Sequence, residues 1–168
     1  MTDAYSSNPA AGASPLFLRE AEIRRGVELL YFGYAHLLRG ADGLLDRHGF
    51  GRAHHRALYF IARRPGLPVS DLLRLLNITK QSLSRVLGDL QNERLVETSV
   101  GDRDRRQRLL RLTGDGAALE AALFEELRHG MAGAYSAAGQ GAVTGFWEVL
   151  SGLIPPSERP LVEALRGL

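Results

Sequence analysis

Between Thr79 and Thr113 the chain sets eight basic side chains against five acidic ones, whereas its full 168 residues balance 21 Lys and Arg against 19 Asp and Glu. Two kinds of chemistry lie in that stretch. Thr79, Lys80, Gln81, Ser82, Ser84 and Arg85 bring hydroxyl, ammonium, carboxamide and guanidinium groups together within two turns' worth of sequence. A guanidinium can pair with guanine through two hydrogen bonds, and a carboxamide can do the same with adenine. Lys80 suits a phosphate, and the hydroxyls of Thr79 and Ser82 suit the sugar-phosphate backbone. Further on, Arg103, Asp104, Arg105 and Arg106 form a cationic knot around one carboxylate. Guanidinium groups match phosphates and the negative potential of a narrow minor groove. This is recognition chemistry for a polyanion that displays information on its base edges.

Catalysis has no comparable set of residues, and the chain reads as a non-enzyme. Gly114-Asp115-Gly116 and Gly139-Gln140-Gly141 are glycine-rich, but neither leads into the Lys-Ser/Thr pair of a phosphate loop, so both read as helix breaks. There is no G-x-S-x-G elbow and no H-E-x-x-H pair. With no cysteine, disulfides, thiolate metal sites and thiol switches are excluded. His54 and His55, with His36 and His48 nearby in sequence, offer an alternative reading as a haem or metal site. Neighbours on a helix point in different directions, which opposes joint ligation. Capping, packing or ligand-pocket roles are favoured instead, and no metal or cofactor is assigned.

These groups need a scaffold, and the apolar periodicity supplies one. From Leu16 to about His48, positions such as Ile23, Val27, Leu30, Tyr34 and Leu37 recur every three or four residues, predicting one long amphipathic helix. A second helix is expected from Arg52 to Arg63, stopped by Pro65-Gly66. Ser70 can cap a short helix through Leu76, and Asn77 suits a left-handed end. Thr79 can cap the next helix, which places Leu83, Val86, Leu87 and Leu90 inward and Gln81, Ser84, Arg85 and Gly88 outward, ending near Glu93. Leu95 to Val100 and Gln107 to Leu112 then read as a β-hairpin whose tip is the basic knot. Helical spacing returns after Gly114, breaks at Gly139/Gly141, and resumes until Pro155-Pro156 precedes a last short helix.

Helix, turn, helix and hairpin in that order resemble the reading head of the MarR family. Val69 to Val96, VSDLLRLLNITKQSLSRVLGDLQNERLV, carries the helix-turn-helix part of the likeness. Asp104 and Arg106, followed by Leu112-Thr113, match that family's D-x-R-x-x-x-x-x-L-T wing signature. The resemblance runs more weakly over Phe17 to Leu165, and HHRALYFIARRPGLPVSDLL is similar to the PetP-type branch. Asn77 departs from the more common turn glycine, and the helix after Pro155-Pro156 is an addition.

The expected fold is therefore mainly α with a small β-hairpin wing. Residues 1–15 are expected to be a flexible tail rather than a signal peptide, 16–50 a dimerisation helix, 51–113 a winged helix-turn-helix, and 114–168 further dimerisation helices. The resemblance implies a homodimeric regulator, a repressor by expectation, bound to a pseudo-palindromic double-stranded DNA operator. It also implies release by a small aromatic or anionic effector. Tyr31, Tyr34, His54, His55 and Arg56 are the candidate effector contacts, with ordinary interhelix packing the alternative. No apolar run approaches the roughly 20 residues of a membrane span, and a cytoplasmic location is expected. A winged-helix adaptor that binds protein without binding DNA remains a rival reading.

Overall fold

The computed structural model describes residues 14–101 and 104–165. The expected tail falls almost wholly outside the described residues, as do Asp102 and Arg103 at the hairpin tip. Contacts divide the chain into two compact units, Met1–His36 and Leu37–Leu168.

In the first unit a 3₁₀ turn, Pro15–Leu18, is capped by Ser14, whose hydroxyl accepts the Leu16 N–H. Extended backbone at Arg19 separates this turn from helix α1, Glu20–Asp46, which continues into the second unit. The long helix thus starts later and ends sooner than its periodicity suggested. Up to His36 none of its residues is buried, and Leu29, Tyr31, Phe32 and Tyr34 are all more than half exposed.

The second unit holds the remaining elements. Helix α2, Arg52–Arg63, has the predicted bounds, and after it Gly66 turns with φ +83°. Leu67–Pro68 then forms a short strand β1. Helix α3 is Val69–Leu76, α4 is Lys80–Asn92, and β2, Val96–Val100, pairs antiparallel with β3, Arg108–Leu112. Three helices follow: α5, Gly114–Ala138; α6, Gln140–Gly152; and α7, Arg159–Glu163.

Two local expectations are corrected. The hairpin is the greater part of a three-stranded sheet in the order β1-β3-β2, because Leu67 and Pro68 pair with Leu110 and Leu109. That pairing also moves the start of α3. Its cap position is Pro68, without a side-chain bond, and Ser70 already lies inside the helix. Asp71 in the first turn complements the helix dipole, with Arg64 bonded to it at 3.0 Å. Asn77 does take the left-handed conformation, at φ 50° and ψ 52°.

One core joins these elements. Leu45, Leu58, Ile61, Leu72, Leu76, Leu90, Leu110 and Leu123, from α1, α2, α3, α4, β3 and α5, are at most 2% exposed. Burying a leucine completely contributes roughly 1.5–3 kcal/mol, so this cluster is what holds α4 and the hairpin in place. No helix among the described residues is long and apolar enough to cross a membrane.

Candidate nucleic-acid interface

Helix α4 begins because Thr79 stops the chain in extended geometry and caps it. Its hydroxyl oxygen accepts the Ser82 N–H at 3.1 Å and donates to the Ser82 hydroxyl at 2.9 Å. The helix has an inner face of Leu83, Val86, Leu87 and Leu90, all buried. At 3.6 residues per turn the opposite face presents Gln81 and Arg85, both exposed, with Gly88 half-buried beside them. One flank carries Lys80, Ser84 and Gln91, and the other carries Ser82, Asp89 and Glu93. The sequence-derived face is thus the solvent face.

The first flank borders a groove of about 840 Å³, lined also by Val69 and Ser70 of α3 and by Thr98 and Arg108 of the hairpin. Gln91 crosses it, donating to the Thr98 hydroxyl at 2.7 Å. Helix α4 and the hairpin therefore border one common surface. Thr98, Gln91 and Arg108 were not singled out from the sequence. The hairpin register, which pairs Thr98 with Leu110 and Val100 with Arg108, places Thr98 and Arg108, and the bond to Thr98 places Gln91.

At the hairpin tip, Asp104 organises Arg106. The Asp104 carboxylate accepts the Arg106 backbone N–H at 2.9 Å and its guanidinium Nε–H at 3.2 Å. These bonds hold the Asp104 carboxyl below the ordinary aspartate range. The Arg106 side chain remains 92% exposed, oriented yet open to a partner. Arg105 is exposed next to it, and the expected phosphate contact of Arg103 lies outside the described residues.

The base of the hairpin is closed through Thr113, which joins the link after α4 to the first turn of α5. Its N–H donates to the Leu95 carbonyl at 3.0 Å, its hydroxyl donates to the Arg94 carbonyl at 2.7 Å, and the same oxygen accepts the Gly116 N–H at 3.1 Å. Gly116 packs so closely that a Cβ would lie 1.9 Å from the Leu95 carbonyl oxygen.

The five candidate effector residues are not gathered into one described cavity. Tyr31 and Tyr34 are exposed in the first unit. In the second unit, His54 accepts the Gly51 N–H through Nδ1 and bonds Asp89 through Nε2, both at 3.1 Å. His55 is buried, and desolvation, reinforced by the Arg52 charge and opposed by Asp42, pushes its pKa down. Arg56 donates to the carbonyls of Leu75 and Leu76 at 3.0 and 2.9 Å, satisfying the end of α3 at the turn. His54 and Arg56 thus act as cap and clamp within the head. No cluster of three or more His, Asp or Glu side chains suited to a metal occurs among the described residues.

The sequence pattern of the MarR family matches residues 48–107. The chain is 46% identical over 155 residues to the HTH-type transcriptional regulator PetP of Rhodobacter capsulatus, covering 92% of this chain and 93% of that protein. Among solved structures, NadR in complex with 4-hydroxyphenylacetate aligns with TM-score 0.66 at 21% identity, over 87% of this chain and 96% of that one. A mutant MarR from E. coli complexed with operator DNA aligns with TM-score 0.63 at 21% identity, over 84% of this chain and all of that one. With α4 and the hairpin bordering one groove and a full-length relative of this similarity, the chain belongs to the MarR family of winged helix-turn-helix, DNA-binding transcriptional regulators.

Proposed function

We propose that this protein acts in the cytoplasm as a homodimeric repressor that reads a pseudo-palindromic operator with α4 in the major groove and the β2-β3 hairpin in the adjacent minor groove. The observation that carries this reading is the common groove between α4 and the hairpin, with Arg85 exposed on the one and Arg106 on the other. In this assignment Gln81 and Arg85 meet base edges, while Lys80, Ser82, Ser84 and the Thr79 end of the helix meet the backbone. Arg106 enters or flanks the minor groove, and Asp104 orients it without touching DNA. Arg103 and Arg105 take phosphates.

Selection of bound DNA from a random pool tests the assignment. The expected product is an imperfect palindrome with half-site centres about 10 base pairs apart. On it, Arg85→Ala relaxes base preference at one position per half-site and costs about 1–3 kcal/mol. Arg106→Ala weakens binding chiefly through flanking A·T-rich positions. Recovery of no enriched sequence would instead favour the adaptor reading.

Dimerisation is supported by α6, where Trp147 and Val149 are 55% and 65% exposed, and by Leu153 just beyond it, 63% exposed. For regulation, the solved relative that holds 4-hydroxyphenylacetate supports an aromatic, anionic effector class. Tyr31 and Tyr34 offer open rings for one, whereas His54 and Arg56 would have to give up the bonds described above. Operator release by such acids in a binding assay tests this part, and release by none of a broad set removes it.

A further inference from the structure

Asp89 is a carboxylate on the DNA-reading helix, four residues beyond Arg85. On a helix that spacing makes the two side chains neighbours able to form an ion pair. Among the described residues Arg85 has no carboxylate within ion-pair distance, while Asp89 is bonded to His54 Nε2 at 3.1 Å on the flank away from the groove. The His54 ring is fixed from three sides. Its Nδ1 accepts the Gly51 N–H at the start of α2, which puts the proton of the neutral ring on Nε2, aimed at Asp89. Its face stacks on buried Phe50, with centroids 4.7 Å apart and planes 7° from parallel, and Phe50 is itself stacked with His48 at 5.3 Å. Only 13% of the His54 side chain is exposed, against 46% for Asp89. The ring is thus the stationary partner and the carboxylate the movable one.

We propose that His54 is a positioning residue for DNA reading: it holds Asp89 on the outer flank of α4 and so leaves the Arg85 guanidinium free to meet a base. The proposal rests on the assignment of Arg85 to base contact. Without His54, Asp89 turns toward Arg85, competes with the base for its donors, and brings a negative charge closer to the phosphates.

The test measures binding of a selected operator duplex by fluorescence anisotropy at low and high salt. It uses His54→Asn, Asp89→Asn, the double variant and Arg85→Ala, with circular dichroism and sedimentation confirming folded dimers. Asn at position 54 can still accept the Gly51 N–H but is too short to hold Asp89, so the α2 cap survives. An exposed i,i+4 pair predicts a loss of about twofold per half-site, hence about fourfold on a dimer, for His54→Asn. The loss should shrink at high salt because the competition is ionic. Asp89→Asn alone should bind at least as well as the parent, and in the double variant it should restore affinity along with preference at the Arg85-dependent base. A double variant as weak as His54→Asn, or a His54→Asn protein that binds like the parent, overturns the proposal. Arg85→Ala without effect on affinity or preference overturns the base-contact assignment itself, a distinct outcome.

Discussion

Helices α4 and α6 are both thirteen residues long, and they meet opposite fates. The more polar α4 buries Leu83, Val86, Leu87 and Leu90 completely or nearly so, and keeps Gln81 and Arg85 outside. The more apolar α6 has no buried residue. Trp147 is held by Tyr135, its Nε1–H donating to the hydroxyl at 2.9 Å and its ring meeting the tyrosine ring edge-on. A helix stripe is worth what covers it, not how apolar it is. Helix α4 is finished within one chain, while α6 leaves its large apolar side chains exposed.

The largest expected effect breaks the finished side. Leu90→Ala, at a site with no exposure, should cost about 2–5 kcal/mol in chemical denaturation, whereas Val149→Ala should change the stability of the head itself by no more than about 0.5 kcal/mol. Equal losses at the two sites would erase the contrast. Gly116→Ala comes next, because the added methyl must push Leu95 away and with it the base of the hairpin. A loss of about 1–3 kcal/mol is expected, accompanied by weaker operator binding in the protein that remains folded.

On the unfinished side, Trp147→Glu should leave the thermal transition of the head nearly unchanged. It should raise the dimer dissociation constant about thirtyfold, the scale of losing one 2 kcal/mol anchor, as read by sedimentation. A dimer that tolerates this charge would remove α6 from the interface. The smallest effect is a pH dependence. Burial depresses the His55 pKa below 6.5, so the unfolded chain takes up a proton that the folded one refuses. Stability is therefore whole above about pH 6.5 and declines as pH falls from there toward the depressed folded value. His55→Leu should flatten that part of the curve in thermal melts between pH 8 and 5.5.

Much of the reading head is local chemistry, and that is why it was legible. Thr79 capping α4, Asn77 turning left-handed, and the inward Leu83-Val86-Leu87-Leu90 face depend on residues within one or two turns of each other. The Asp104–Arg106 pair spans only two residues and follows from the wing motif. From sequence alone, then, come the helix-turn-helix-hairpin order, the outward set around Arg85, and the cationic tip. What tertiary structure decided joins residues far apart in the chain. Pro68 pairs with Leu109, Arg56 clamps the end of α3, and His54 holds Asp89 across 35 positions. Each of these needs a packed core before its partners meet, and periodicity says which face is apolar without saying which distant group will face it. The histidine pair shows the limit most plainly. Sequence shows two neighbours on a helix, and only packing makes one of them a cap bonded to Asp89 of α4 and the other a neutral ring sealed from water.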